Sequence, residues 1–393
     1  MAETALAKLE DRGAEGTNPL RLRIEDALEA AGWMGLSALD RALARALVAG
    51  VTRFRTRLDA ELAALTERGL PNDGFTIHAL RVAAFQISRL DKIPEYAAVS
   101  TAVEHVKGVR GPKLAGFVNA VLRKYIGAWR EFQTADIAER HAFQPWMVAE
   151  VARGVGDAEV ETALAAMNKE AALVLRRNPR VAWEEELPSG DKLGDPTGLV
   201  GWREGAFMVQ DTASQRVVEL VTGERVLDLC AAPGGKAFAI AERARVVAVD
   251  PSRERLEKMR EAAARLKVSG VSLLQGDGRS PPVHGTFDAV LVDAPCTSLG
   301  TIRRHPEVKW RVAADDAISA SVLQFDLLEA AAPFVGAGGR LVYSVCTFTA
   351  VETDDVVREF CEEHPEFIKT VEMRLWPHRD AADAHYAAVF VRG

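Results

Sequence analysis

The spacing of hydrophobic positions changes once along the chain, near residue 205. Before that point apolar residues recur every three or four positions, as in the segments Leu36–Leu47 and Leu80–Ile87. This spacing predicts helices that bury one face, and the second segment is apolar on several sides, which predicts a buried helix. Turn sequences at Pro71–Gly74 and Gly111-Pro112 interrupt the pattern. We therefore predict an all-helical domain of about five to seven helices over residues 21–135.

After residue 205, short apolar runs alternate with longer amphipathic stretches. The runs predict strands at 226–229, 246–250, 271–274, 289–292, 341–343 and 387–391. Strands that alternate with helices are typical of a doubly wound, mainly parallel sheet, so we predict this α/β fold for residues 206–393. Residues 136–205 contain one candidate strand, Leu173–Arg176, and are expected to form a connecting subdomain. Residues 1–20 are expected to be a flexible N-terminus.

The composition narrows the classes of function. The chain has 393 residues, a net charge of −7 and no uncharged apolar run long enough for a membrane span. Residues 1–18 lack an apolar core, so we expect no secretory signal. The four cysteines are too scattered for a disulfide framework, and none has CxxC spacing, so we expect no metal. We expect free thiols, a cytoplasmic location and a monomer.

Basic residues are concentrated in two places despite the acidic net charge. The segment His105–Arg130 contains no Asp or Glu, and a second cluster surrounds Glu307. The candidate phosphate-binding residues are Lys107, Arg110, Lys113, Arg123 and Lys124 in the first cluster and Arg303, Arg304, His305 and Lys309 in the second. Most basic clusters are ordinary solvated surfaces, but the long acid-free first segment is equally compatible with a phosphate-binding face. We expect Trp310, beside the second cluster, to pack rather than to stack on a base.

A glycine turn follows the first predicted strand and precedes a helix. Its residues are Cys230, Ala231, Ala232, Pro233, Gly234, Gly235 and Lys236. Small residues allow a ligand to approach the backbone closely, and the turn has neither the GxGxxG nor the P-loop spacing. Asp250 ends the second predicted strand and Asp277 follows the third, at the edge of the sheet where ligands bind. This layout predicts a site for a nucleoside with a small charged tail.

Two cysteines follow neighbouring predicted strands. Cys296 ends the sequence Asp293–Cys296 after the fourth strand, and Cys346 lies in Tyr343–Thr347 after the fifth. Free cysteines are commonly small buried residues, which is how we interpret Cys230 and Cys361. Two thiols at one ligand-binding edge instead favour a role in catalysis.

The N-terminal half resembles the NusB-type RNA-binding domain. The resemblance rests on Leu90–Pro94, Ala102–Glu104 and the "FVN-x-VL" helix at Phe117–Leu122. It covers about a hundred residues. A generic helical adaptor is the alternative interpretation.

The C-terminal half resembles the RNA cytosine-5 methyltransferases of the Sun, Fmu and RsmB type. The resemblance rests on "CAAPGGK", "DAPC", "RRHPEVKW", "YSVCT" and the segment Gln210–Gln215. It implies a class I, Rossmann-like methyltransferase domain, S-adenosylmethionine as the methyl donor and 16S ribosomal RNA as the substrate. Transfer RNA as the substrate, or a non-catalytic RNA-binding assembly factor, remain alternatives.

The resemblance also implies individual roles. Cys346 corresponds to the nucleophile that adds to carbon 6 of cytosine, Cys296 assists product release, and Asp293 contacts the base and the methyl donor. Arg255 joins the glycine turn, Asp250 and Asp277 among the cofactor residues. The chain departs from the family pattern at Ala237, Val345, 297–300 and 383–386. None of these departures removes a reacting group, but they leave the modified nucleotide undetermined.

Overall fold

This computed structural model describes residues 1–10, 23–187 and 195–393. The chain forms two compact units. The first comprises Met1–Ala149 together with His305–Val312, and the second comprises Glu150–Arg304 and Ala313–Gly393. Within the described ranges, every helix is too short or too polar to cross a bilayer.

The first unit is helical, as the hydrophobic spacing predicts. Its helices are α1 (Ala2–Glu10), α2 (Ile24–Ala30), α3 (Ala38–Ala63), α4 (Gly74–Arg89), α5 (Glu95–Arg110), α6 (Pro112–Ala128) and α7 (Ile137–His141). Side-chain caps begin α3 and α4, because Ser37 accepts a hydrogen bond from the Asp40 amide and Asp73 from the Thr76 amide. Gly111, at φ +85°, separates α5 from α6. The apolar faces of helices α1 to α6 form one core that includes Leu80, Val118 and Leu122.

The expectation of a flexible segment over residues 1–20 is wrong for its first half. Residues Ala2–Glu10 form α1, and Ala5 and Leu6 are buried in the core of the first unit. These small and apolar residues recur at helical spacing, which is the signal that the expectation overlooked. The rest of that segment, from residue 11, lies outside the described residues.

Residues 305–312 also differ from the expected domain boundaries, because they belong to the helical unit. They contain the short helix α13 (Val308–Arg311). The indole Nε1 of Trp310 donates to the carbonyl oxygen of Thr52 over 2.6 Å, and Trp310 is buried. The prediction that Trp310 packs is therefore confirmed.

The predicted connecting region contains helices that the sequence pattern did not identify. Besides α7, these are α8 (Pro145–Val155) and α9 (Val160–Met167). A small antiparallel sheet follows, formed by β1 (Leu175–Arg177) and β2 (Phe207–Val209). Strand β1 overlaps the candidate strand Leu173–Arg176, and the Pro- and Gly-rich stretch 188–194 is not among the described residues.

The second unit is built on a seven-stranded sheet in the order β5-β4-β3-β6-β7-β9-β8. The strands are β3 (Arg225–Asp228), β4 (Arg245–Asp250), β5 (Val271–Gln275), β6 (Phe287–Asp293), β7 (Val335–Val345), β8 (Phe367–Leu375) and β9 (His385–Arg392). The first five in this order are parallel, and β9 is antiparallel to both neighbours. The helices of this unit are α10 (Thr212–Leu220), α11 (Gly235–Ile240), α12 (Arg253–Arg265), α14 (Ala314–Ala331), α15 (Asp354–Glu363) and α16 (Pro377–Asp380).

The parallel arrangement brings several strand ends to one edge. Asp228, Asp250 and Asp293 end β3, β4 and β6, and Asp293 pairs in register with Ser344 near the end of β7. The segments that follow these strands therefore meet at the carboxyl edge of the sheet, where α/β proteins bind ligands.

Candidate active site

Two thiols lie together at the carboxyl edge of the sheet. The Sγ atoms of Cys296, beyond β6, and Cys346, beyond β7, are 3.4 Å apart. Both side chains are partly buried. At this separation the two sulfur atoms share a hydrogen bond.

The surroundings of the two thiols shift their pKa values in opposite directions. The hydrogen bond from Cys296 lowers the pKa of Cys346, and the nearby Lys236 ammonium acts in the same direction, while burial and the Asp293 carboxylate oppose them. The same hydrogen bond, together with burial, raises the pKa of Cys296 well above its ordinary value. The arrangement therefore favours a thiolate on Cys346 and a protonated Cys296.

Asp293 is held from both sides of its carboxylate. Lys236 Nζ contacts Oδ2 at 2.7 Å, and Ser344 Oγ donates to Oδ1 over 2.9 Å. Burial lowers the pKa of Lys236, but the Asp293 carboxylate raises it by more than burial lowers it. The pKa of Lys236 is therefore raised. The lysine of the glycine turn thus reaches the aspartate next to the thiols.

His385 extends this chain of contacts. Its Nε2 lies 2.8 Å from Ser344 Oγ. Burial and the Lys236 charge lower the pKa of His385 to about 4, so the imidazole is neutral at pH 7. Because the single hydroxyl hydrogen of Ser344 goes to Asp293, Nε2 of His385 carries the hydrogen and donates to Ser344. Sequence reasoning singled out neither residue; the only signal was that 383–386 departs from the family pattern.

The glycine turn is shaped for close approach. Gly234 has φ +101°, and a Cβ atom there would lie 2.6 Å from the Phe238 ring. The backbone N–H of Ala232 donates to Asp250 Oδ2, whose other oxygen accepts from the Ser252 amide over 3.0 Å. Arg255 contacts Asp250 at 3.3 Å and the Ala232 carbonyl. The structure thus gathers the turn, Asp250 and Arg255 at one place.

Asp277 stands apart from these contacts. It is exposed and pairs with its neighbour Arg279 at 2.7 Å. Hydrogen bonds from Arg279 lower the pKa of Asp277.

The charge balance around the turn fits the cationic tail of S-adenosylmethionine. Asp228 is buried, and its Oδ1 has no hydrogen-bond partner among the described residues. Burial and the charge of Asp293 raise the pKa of Asp228 to about 7. Burial and the same acids raise the pKa of Cys230. A ligand that brings positive charge and N–H donors would relieve this excess of carboxylates, so the residues present suit an amino-acid sulfonium.

The candidate phosphate-binding residues fall into separate groups. Lys107, Lys113, Arg123 and Lys124 lie exposed on α5 and α6, and Arg110 is exposed but pairs with Asp73 at 3.0 Å. In the second unit, Arg304 contacts Asp211 at 2.7 Å and Asp383 at 2.8 Å, and Arg303 lies 3.8 Å from Asp383. His305, in the first unit, lies 3.5 Å from Glu307.

Lys309 corrects the sequence expectation. Its side chain has no exposed surface, and Nζ donates to the carbonyl oxygens of Arg53 and Ala142, each over 2.7 Å. Burial lowers its pKa well below the ordinary value. A lysine enclosed in this way does not reach a phosphate, so it is a packing residue of the helical unit.

Comparisons with known proteins agree with this architecture. Residues 215–391 match the family model "16S rRNA methyltransferase RsmB/F", and residues 2–127 match the NusB family model. The crystal structure of PH0851 superposes with a TM-score of 0.73 at 24% identity, covering 99% of this chain and 98% of that one, and shares the fold.

Curated relatives match over most of their length. Ribosomal RNA small subunit methyltransferase B of Yersinia pseudotuberculosis is 32% identical, and the protein of the same name in Serratia proteamaculans is 30% identical. Each alignment covers 84% of this chain and 84% of the relative. The chain therefore belongs to the RsmB/F family of S-adenosylmethionine-dependent methyltransferases, with a NusB-like helical domain at its N-terminus.

Proposed function

We propose that this protein methylates carbon 5 of a cytosine in small-subunit ribosomal RNA through a covalent cysteine adduct. The observation that carries the proposal is the pair of thiols 3.4 Å apart beside the carboxylate of Asp293. Carbon 5 of cytosine is a weak nucleophile until a thiolate adds to carbon 6, so the reaction needs a nucleophile, and afterwards a base. Cys346 supplies the nucleophile, and Cys296, which is protonated while Cys346 is a thiolate, assists the release of the product.

In the first step, the Cys346 thiolate forms a bond from Sγ to carbon 6 of the base. The electron pair of the C5–C6 double bond shifts through the ring towards N3, which takes up a proton held by the Lys236–Asp293 pair. Bound S-adenosylmethionine supplies the methyl group that carbon 5 acquires. Cys346 is suited to the attack because its pKa is lowered by Cys296 and Lys236.

In the second step, a base removes the proton from carbon 5. The electron pair of that C–H bond restores the C5–C6 double bond and expels Sγ of Cys346, and N3 returns its proton to the Lys236–Asp293 pair. Cys296 lies close enough to act on the same ring, and the departing thiolate regains its hydrogen bond. The two thiols therefore need to stay together throughout the cycle.

We infer that the cofactor is bound by the glycine turn and the strand-end acids. The residues proposed are Cys230–Lys236, Asp250, Arg255, Asp277 and Asp293. Asp277 is exposed and paired with Arg279, so a ligand would have to compete with Arg279 for its carboxylate. We infer that Lys107, Arg110, Lys113, Arg123 and Lys124 bind RNA phosphates, in a monomeric enzyme of the reducing cytoplasm.

The direct test uses purified protein, S-adenosylmethionine with a labelled methyl group, and bare 16S ribosomal RNA. After digestion to nucleosides, we expect the label in 5-methylcytidine alone. A parallel reaction with bulk transfer RNA separates the two substrate classes. Label in another nucleoside would contradict the chemistry, and preference for transfer RNA would contradict the assignment of the substrate.

A further inference from the structure

A buried carboxylate outside the proposed catalytic set lies behind the two thiols. Glu352 follows β7 and has no exposed surface. Every hydrogen bond to its side chain from the described residues comes from an uncharged donor, although a buried carboxylate is usually paired with a cation. Burying a charged carboxylate is energetically unfavourable, so the contacts of Glu352 indicate its role.

The donors to Glu352 come mainly from the two segments that carry the cysteines. Oε1 accepts from the backbone N–H of Thr297 over 2.8 Å and from Gln324 Nε2 over 3.1 Å. Oε2 accepts from the hydroxyl groups of Thr297, Thr347 and Thr349 over 2.5, 3.0 and 2.7 Å. Five donors therefore converge on two oxygen atoms.

The position of these threonines in the sequence gives the contacts their meaning. Thr297 directly follows Cys296, and Thr347 directly follows Cys346. Their hydroxyl groups also lie 2.9 Å from each other. One carboxylate thus fastens the residue after each cysteine to the same point, on segments that leave different strands.

We propose that Glu352 is a positioning residue that fixes the separation of the two thiols by holding Thr297 and Thr347. This role rests on the proposed function, since the reaction needs one thiol at carbon 6 and the other beside carbon 5. Glu352 itself does not touch the reacting atoms. It acts by keeping two independent backbone segments in register at the point where each delivers a sulfur atom.

A carboxylate suits this task better than an amide. Glutamine has the same size but only one accepting oxygen, so part of the donor set would face its NH₂ group. Buried donors left without an acceptor are unfavourable, so the segments would relax apart to reach other partners. Glu352→Gln is therefore the informative change, and Glu363→Gln, at an exposed position of the same unit, is the matched control.

The separation of the thiols is measured with the oxidant diamide on the full-length protein. Two adjacent thiols lose two protons and two electrons to form a disulfide, and the azo group of diamide takes these up and is reduced to a hydrazine. Peptide mapping identifies the Cys296–Cys346 disulfide. We expect rapid formation in the wild type and in Glu363→Gln, and about tenfold slower formation in Glu352→Gln.

Two further readouts distinguish positioning from general loss of structure. S-adenosylmethionine affinity, measured by calorimetry, should stay within about twofold of the wild type, while kcat on RNA falls about 100-fold, as expected for a misplacement near 1 Å. If Glu352→Gln forms the disulfide at the wild-type rate, the proposal is wrong. If the variant does not fold, Thr297→Val and Thr347→Val remove one hydroxyl donor each, and wild-type disulfide rates in both would overturn it equally. A wild-type protein that makes no 5-methylcytidine would refute the proposed function, whereas the diamide rates would still test the role of Glu352.

Discussion

At the scale of single residues, the two thiols differ through their neighbours rather than through their chemistry. Cys346 receives a hydrogen bond and lies near an ammonium group, and the partly buried Cys296 donates that bond. Their order in the sequence does not reveal this difference. The positions of the strand ends predicted that both cysteines lie at one edge of the sheet. The effect of Lys236 on the pKa of Cys346 depends on the contact that holds Lys236 against Asp293, and no local sequence pattern encodes that contact.

The first prediction separates the roles of the two cysteines. Cys346→Ala should abolish covalent addition to RNA, because no thiolate is left for carbon 6. Cys296→Ala should permit addition and slow release, so that a protein–RNA adduct accumulates. The measurement is a denaturing gel after incubation with S-adenosylmethionine and RNA, with Cys361→Ala as the control. An adduct that accumulates with Cys346→Ala instead would reverse the two roles.

The second prediction concerns acid stability and His385. Its folded-state pKa of about 4 lies below the ordinary value of 6.5, so the unfolded chain binds the proton first as the pH falls. The neutral imidazole therefore contributes stability above pH 6.5 that is lost between about pH 6.5 and 4, up to about 3 kcal/mol. His385→Gln should lose less stability than the wild type over this range in urea titrations at several pH values. The exposed His284→Gln variant should follow the wild type, and identical pH profiles for His385→Gln and wild type would contradict the assignment.

At the scale of elements, apolar content decided what the sequence could predict. The buried strands β3, β4 and β6 were predicted because they are short apolar runs. Strand β8 was missed because it lies at the sheet edge, where most of its side chains are exposed and several are charged. Local spacing also did not indicate the helices α8 and α9 in the region taken as a connector.

The third prediction tests the backbone of the glycine turn. Gly234→Ala places a methyl group 2.6 Å from the Phe238 ring and 3.0 Å from Met259, at a φ of +101° that an L-residue rarely adopts. We expect a loss of about 1–3 kcal/mol in the free energy of unfolding and at least about tenfold weaker S-adenosylmethionine binding. Thermal denaturation and calorimetry provide the measurements. Gly235→Ala, whose new Cβ would meet its nearest neighbour at 3.6 Å, is the control and should fold normally.

The fourth prediction concerns the exposed basic residues of α5 and α6. Lys113→Gln and Lys124→Gln should each weaken binding to ribosomal RNA and reduce the slope of log K against log salt by about 1, because one phosphate contact is lost. Filter binding at several salt concentrations measures both effects. Lys8→Gln, on the exposed surface of α1, should leave the slope unchanged. Unchanged slopes in all three variants would show that RNA binds to a different surface of the protein.

At the scale of the whole molecule, the two units were predictable but their exact membership was not. The change in hydrophobic spacing near residue 205 indicated a helical and an α/β part. Residues 305–312 were assigned by their place in the sequence to the α/β part, whereas Trp310 and Lys309 donate to carbonyls of the helical unit. The positive charge of Lys309 suggested a surface position, and only the fold shows the carbonyl oxygens to which this buried lysine donates.

The fifth prediction follows from this membership. A fragment of residues 1–149 lacks the donors that satisfy the carbonyls of Thr52, Arg53 and Ala142, so it should melt at a lower temperature than the same fragment extended by a Gly-Ser linker and residues 305–312. Circular dichroism melts of both fragments provide the comparison. A linker followed by a scrambled 305–312 sequence is the control. Equal Tm values for all three fragments would show that residues 305–312 do not stabilise the helical unit.

The segment 305–312 also sets an order of events during synthesis. Translation proceeds at about 5–20 residues per second, so this piece of the helical unit leaves the ribosome roughly 10–30 s after residue 149. Until then the nascent helical unit has an open slot where Trp310 and Lys309 belong. The helical unit therefore becomes complete only after strands β3 to β6 of the second unit have been synthesised, and before β7, β8 and β9 are made.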